Sequence, residues 1–541
     1  MTNTRRFSSL AAGMTLMIRL STALAAPPLP PSPTPDLQTV AESSGFSATS
    51  THAHVLDLLG RLAALSPNGR MASIGQTKEQ RPIPVLWIAD PPVSSSDEAA
   101  EATIRDGRMV VVIEANIHAG EVDGKEAVLI LAREILTAPA HPFLRGLILA
   151  VVPNYNPDGN DRISTDHRTS QNGPARGVGI RENADGLDLN RDFMKLDAAE
   201  TRGLVDLVRR SNASVILEMH TTNGCFHRYA ITYDGPRTPA ADSALVRFTQ
   251  DVFLPRVSRS MDSATGLKSF SYGDFDAAHT RWDAYPALPR YGTQYFALRG
   301  LLSVLVESYS YDSYQQRIKA SYHYARHVLA DLAEHANRTE LSAVLSAART
   351  APEDKARSSY TLRHVARAMD APRSLLGFVE RVESGAAVST GEPRDYSVSV
   401  WTDTQPLLAA SIPAAYALPE ACREVVENLE RHGVRVERLA EPARAPCEFH
   451  RVDRIDRAEH AYQQRRAIRL ETTVQRAVRD LPIGTVIVRT SGPLHRLIVH
   501  LLEPLAEDGL TTWAFFDPWL LPGGEFPVIR VMDASSLSTR P

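Results

Sequence analysis

Residues 109–121 read MVVVIEANIHAGE, an apolar run that stops at His118 with Glu121 three positions later. Two further apolar runs stop in the same manner, SVILEM (214–219) on His220 and LLSVLV (301–306) on Glu307. Short apolar runs of this kind read as buried strands. Polar residues at their ends fall on the C-terminal edge of a sheet, where open α/β sheets bind their ligands. Two imidazoles and one carboxylate suit a catalytic zinc, which takes three protein ligands and keeps one position open. His118, Glu121 and His220 are therefore the candidate metal ligands, and the open position suits a water activated for attack. A hydrolase of this design also needs a general base. Glu307 leaves an apolar strand, where desolvation raises a carboxyl pKa toward the range useful for proton transfer.

Positioning these residues requires a scaffold. Helical periodicity runs through residues 52–65, 122–135, 196–209, 243–256 and 315–336, and further apolar strands fall at 83–88 and 147–153. Strands alternating with helices predict an α/β sandwich on a largely parallel or mixed sheet. Residues 90–106 are polar and alanine-rich and read as an exposed loop. Residues 160–186, rich in Gly, Asn, Asp and Arg without periodicity, read as a long functional loop. Beyond residue 340 the texture changes. A linker is expected at 341–373 and a mainly β domain at 374–541, with a helix at 419–432 and strands at TVIVRT (485–490), LIVHLL (497–502) and TWAFF (512–516).

Arg5 and Arg6 precede a mostly apolar stretch ending in ALAA, the order of a secretory signal peptide over residues 1–26. The proline-rich run that follows predicts an extended linker over 27–50, with the catalytic domain at 51–340. Export to the periplasm or medium is the expectation, with no membrane span after signal removal, because no later apolar run is long enough to cross a bilayer. A formal net charge of -4 over 541 residues gives no reason to expect nucleic-acid binding. Of three cysteines, Cys422 and Cys447 either pair in an oxidising compartment, leaving Cys225 free, or all three are buried thiols.

The ordered set HAGE, NPDG, GLDLNRD, EMHTTNG and VESYSY, entered through SIGQTKEQRPI, resembles the zinc carboxypeptidase family, the group of carboxypeptidases A and B. The resemblance runs from about Ser73 to Tyr311. It implies a three-layer α/β/α sandwich on a mixed central sheet, one Zn2+ per chain, and removal of C-terminal residues from peptides that end in a free carboxylate. His118, Glu121 and His220 match the family's zinc ligands, and Glu307 matches its catalytic glutamate. Asn190 and Arg191 match the pair that holds the substrate's terminal carboxylate, a role that suits a planar guanidinium. Arg181, in an Arg-Glu-Asn triplet, matches the arginine that stabilises the oxyanion; Arg168 and Arg176 lie in the same loop. For the tyrosine that closes over substrate, Tyr285, Tyr291 and Tyr295 all qualify, with Tyr295 favoured. NRD departs from the commoner NRN, and Asp192 is expected to orient the loop instead. A related zinc amidohydrolase, cutting N-acyl amino acids or cell-wall peptides, would use the same residues.

Overall fold

In the computed structural model, the structure describes residues 27–138, 140–353 and 358–540; the expected signal peptide lies outside them. Among the described residues no helix is long and apolar enough to cross a membrane. The central sheet contains β1 (Gly69–Gln76), β2 (Pro82–Ile88), β3 (Met109–Ala115), β4 (Leu147–Val152), β5 (Val215–Thr221), β6 (Ile231–Asp234), β7 (Ser269–Ser271) and the strand Leu302–Ser308. Its order is β1-β2-β4-β3-β5-(302–308)-β6-β7. The centre is parallel, with β3 between β4 and β5 and 302–308 beside β5. β1 with β2, β2 with β4, and β6 with 302–308 are antiparallel, so the sheet is mixed.

Every residue of β3, β5 and 302–308 is buried, as expected for strands covered on both faces. Alternate side chains serve opposite faces. Val111 and Ile113 of β3, Leu217 of β5 and Val304 join helices Val122–Thr137 and Tyr314–Ala333 in one apolar cluster. Val110, Val112 and Ile216 join helix Ala199–Arg210 in the other. That second cluster does not stop at the helix layer. It continues into Val425 and Leu429 of helix Arg423–Arg431 and Leu497 and Leu501 of helix His495–Leu502, so the C-terminal region shares the core of the α/β/α sandwich.

The C-terminal region is mainly β. Its seven-stranded sheet includes a long hairpin, Ala443–Arg457 with Ile468–Leu481. A second connection crosses the expected boundary, where strand Ala386–Trp401 pairs in parallel with Arg281–Asp283.

Several expectations need correction. Residues 90–106 are not all loop: Ser96–Asp106 is a helix, capped by the Ser95 hydroxyl and ended by Gly107 at φ 69°. LIVHLL lies in a helix and TWAFF forms turns, because a short apolar run cannot be assigned to strand or helix by pattern alone. Helix His335–Arg349 and strand Ser359–Arg367 occupy most of the expected 341–373 linker. Residues 27–50 lie against the sandwich instead of trailing from it. Arg133 donates to the Pro30 carbonyl (3.1 Å) and pairs with Glu42 (2.6 Å), and Glu126 accepts from the Ser50 amide (2.7 Å). Cys422 and Cys447 are unpaired thiols buried in different apolar clusters.

Candidate active site

β3 ends one residue before Asn116, whose φ of 68° turns the chain sharply. Asparagine tolerates that left-handed conformation, and the Asn116 side-chain amide secures the turn by donating to Asn154 and Asn160 (2.8 and 3.0 Å). The turn delivers His118 to the sheet edge and Glu121 to the start of helix Val122–Thr137. Gly120 is required by close approach, since a Cβ there would meet Arg168 Cδ at 2.5 Å. His220 near the end of β5 stands in register with Glu307 on the neighbouring strand.

The ligand atoms of His118, Glu121 and His220 lie within 4.8 Å of one another, and all three residues are buried. Glu121 bridges the pair through Oε1 to His118 Nδ1 and Oε2 to His220 Nδ1, both at 3.0 Å. Burial holds the His220 imidazolium down, which keeps the neutral ring that a metal requires. Burial alone would push the Glu121 carboxyl up, but the charges of His118 and Arg168 outweigh it and hold the group well below the usual range. Arg168 Nη1 donates to Glu121 Oε1 at 3.0 Å. Two imidazoles and an ionised carboxylate in a shielded cluster fit zinc.

Glu307 faces this cluster with Oε2 buried and without a hydrogen-bond partner. Its carboxyl is pushed well above the ordinary value, first by burial and then by the negative charge of Glu121. An unpartnered buried oxygen is costly, and in catalytic sites it is commonly kept for a reacting group.

These four residues open onto a cavity of about 170 Å³ that Arg181, Asn190 and Arg191 also line. Arg181 is the only one of the three candidate loop arginines on this cavity: Arg168 is spent on Glu121 and the carbonyls of Thr221 and Thr222, and Arg176 is tied by its backbone to Ser47. Asn190 accepts from the Gly292 amide (2.9 Å), and the Arg191 guanidinium sits 4.4 Å from the Tyr291 ring centre. Asp192 anchors the loop from within, accepting from Lys195 Nζ (2.7 Å) and the Ala198 amide (2.9 Å).

Tyr295 is not on the cavity. It is fully buried, with its hydroxyl 2.8 Å from His432 Nδ1 and accepting from Arg299, because a buried phenol needs a polar partner and finds one in the C-terminal region. Tyr272, Tyr285 and Tyr291 line the cavity instead, with Thr293 and Leu305.

Asp188 was not singled out by sequence, although it stands inside GLDLNRD. Its Oδ1 lies 3.1 Å from His118 Nε2, and it accepts from Arg181 Nε (2.9 Å) and the Asn190 amide (3.0 Å). Burial opposes its ionisation, yet His118, Arg181 and Arg191 hold its carboxyl far below the normal range. A carboxylate on the far nitrogen fixes a ligating histidine's tautomer and orientation. Asp188→Asn is expected to weaken metal affinity by about 10–100-fold with little loss of fold, as chelator competition followed by metal analysis would measure.

A buried donor set facing an unpartnered carboxylate on an α/β/α sandwich is the arrangement that a metal-dependent hydrolase requires. Residues 55–266 match the family profile described as Zinc carboxypeptidase. The matched segment holds His118, Glu121, Asn190, Arg191 and His220; Glu307 lies beyond it. Among curated relatives, "Carboxypeptidase 2" of Trichophyton rubrum is 23% identical over 475 residues, covering 84% of this chain and 81% of that protein. "Carboxypeptidase D" of Mus musculus is 30% identical over 187 residues, covering 30% of this chain and 14% of that protein. Among solved structures, a metallo-carboxypeptidase from Burkholderia cenocepacia aligns at a TM-score of 0.38 with 17% identity, covering 52% of this chain and 69% of that one.

Proposed function

We propose that the protein is an exported zinc metallocarboxypeptidase that removes C-terminal residues from peptides bearing a free carboxylate. His118, Glu121 and His220 would hold one zinc, and Glu307 acts as general base and then general acid. The observation that carries this reading is the enclosure of three metal donors, the unpartnered Glu307 and the Asn190–Arg191 pair in one cavity. When bound, zinc would supply Lewis acidity to the scissile carbonyl and the attacking water. Export rests on the N-terminal sequence pattern.

Each side chain then has a defined task. The fork of Arg191 and the Asn190 amide engage the terminal carboxylate, with the Tyr291 face limiting the tilt of the guanidinium. Arg181 offers positive charge where negative charge develops on the carbonyl oxygen. Glu307 removes the water's proton and returns it to the departing amine. Tyr272 and Tyr285 wall the cavity and exclude bulk water.

The test combines metal analysis of the full chain with product analysis on matched substrates. About one zinc per chain and single-residue trimming of peptide acids, with C-terminal amides resistant, is the expected result. Zinc binding with intact peptides but cleaved N-acyl amino acids or cell-wall peptides would move the assignment to the amidohydrolase class. A chain without metal would overturn it.

A further inference from the structure

The tip of the long C-terminal hairpin, residues 458–467, lies outside the family-matched segment, yet it reaches the rim of the cavity. Tyr462 and Arg465 exchange backbone hydrogen bonds (2.9 and 3.1 Å), leaving Gln463 and Gln464 as the two loop residues. Both carry positive φ, 52° and 64°. A two-residue turn of this kind normally uses Asn-Gly or Gly-Gly. Two glutamines in the left-handed region hold strain that contacts beyond the hairpin must offset.

Those contacts converge on one target, the segment that carries the carboxylate anchor. Gln463 Oε1 accepts from the Asp188 amide (2.9 Å), and Gln464 Nε2 donates to the Asp185 carbonyl (2.7 Å). The Tyr462 phenol oxygen accepts from Arg191 Nε at 3.1 Å. Arg465 forks onto the Asp197 carboxylate, both bonds at 2.9 Å. Tyr462 is itself braced. Its ring stacks on Trp513 at 6.3 Å and 22°, and Arg290, paired with buried Asp508, lies over both rings. Arg191 is thus held between two tyrosines, the Tyr291 face from the catalytic region and the Tyr462 hydroxyl from the C-terminal region.

We infer that the hairpin tip is a built-in part of the substrate-carboxylate site: Tyr462 sets the plane of the Arg191 guanidinium, and Gln463 holds the Asp188–Arg191 turn in the conformation that presents it. Tyr462 and Gln463 are positioning residues, acting through Arg191. The inference rests on the reading of Arg191 as the carboxylate anchor. It gives the C-terminal region a specific task, because a guanidinium discriminates a carboxylate by its fork only when its plane is fixed.

The experiment compares wild type, Tyr462→Phe, Gln463→Ala, Arg191→Ala and the double variant Tyr462→Phe/Arg191→Ala, all as the full zinc-loaded chain. The probe is a blocked dipeptide with a free C-terminal carboxylate, read as separate KM and kcat, with zinc content and Tm as folding controls. Tyr462→Phe keeps the ring and its stack on Trp513 and removes only the hydroxyl. It is expected to raise KM about five- to tenfold with kcat within about twofold. Gln463→Ala should act in the same direction. In the Arg191→Ala background the Tyr462→Phe effect should vanish, since the two changes break one interaction. A KM unchanged by Tyr462→Phe in a normally folded protein overturns the inference while leaving the anchor reading intact. So does a Tyr462→Phe effect that persists undiminished without Arg191. If Arg191→Ala itself leaves KM unchanged, the anchor reading falls and takes this inference with it.

Discussion

Glu307→Gln is expected to retain about one zinc per chain and lose about 10³-fold in kcat, on the order of 4 kcal/mol of transition-state stabilisation. Glutamine keeps the volume and one acceptor oxygen of the side chain but cannot take a proton from water. The position tolerates the exchange structurally: the carboxyl is already held strongly toward its neutral form by burial and by Glu121, and its Oε2 has no partner to lose. The metal donors are on other elements, so zinc content should not change. KM should move little, because a proton-transfer group contributes mainly in the transition state. Rapid-quench or steady-state assay beside metal analysis checks all three quantities. If the variant keeps full turnover, another group serves as the base and Glu307 is only a strand-end carboxylate.

Arg191→Ala is expected to lower kcat/KM on peptide acids by about 10²–10³-fold, mostly through KM, while zinc content stays unchanged. Truncating one partner of a partly buried charge pair costs about 2–5 kcal/mol, much of it from the partner left unpaired, here the substrate carboxylate. The size is set by geometry: Arg191 is shielded, lies against Tyr291 and shares the cavity with Glu307. Peptide amides, which lack the charge, should lose far less, so the preference for acid over amide should collapse. Arg191→Lys should recover only part of the loss, since an ammonium supplies charge without the planar fork. If the acid preference survives Arg191→Ala, Arg181 or another cation on the cavity holds the carboxylate.

The candidate metal donors and Glu307 were legible in the sequence because they stand at or just beyond the ends of largely apolar, buried strands. In a parallel sheet covered on both faces, period and composition determine the strand, and chain direction places its last residue at the ligand-binding edge. His220 and Glu307 follow from that reasoning, His118 and Glu121 from their three-residue spacing just beyond β3, and the structure gathers all four. Arg181, Asn190 and Arg191 came from motif order, and they too line the cavity. Asp188 stood in the same motif, but its role depends on which atom His118 turns toward it, and spacing carries no such information.

The tyrosines mark the limit. Tyr285, Tyr291 and Tyr295 lie within eleven residues and are equivalent by type, yet two line the cavity and one is buried against His432. The difference is made by a partner 137 positions away in the chain. The same holds for the C-terminal region. Local pattern announced strands there, but misread a buried helix at 495–502, because a short, mostly apolar run does not reveal its period. Pattern also had no means of seeing that the second face of the sheet continues into that region as one apolar core, or that Gln463 and Tyr462 meet Asp188 and Arg191. The sequence by itself determined the elements and the chemistry at their ends, where the information is local. Only the tertiary structure decided which tyrosines line the cavity, which carboxylate lies against His118 and which side chain meets Arg191, because those contacts join residues far apart in the chain and exist only after packing.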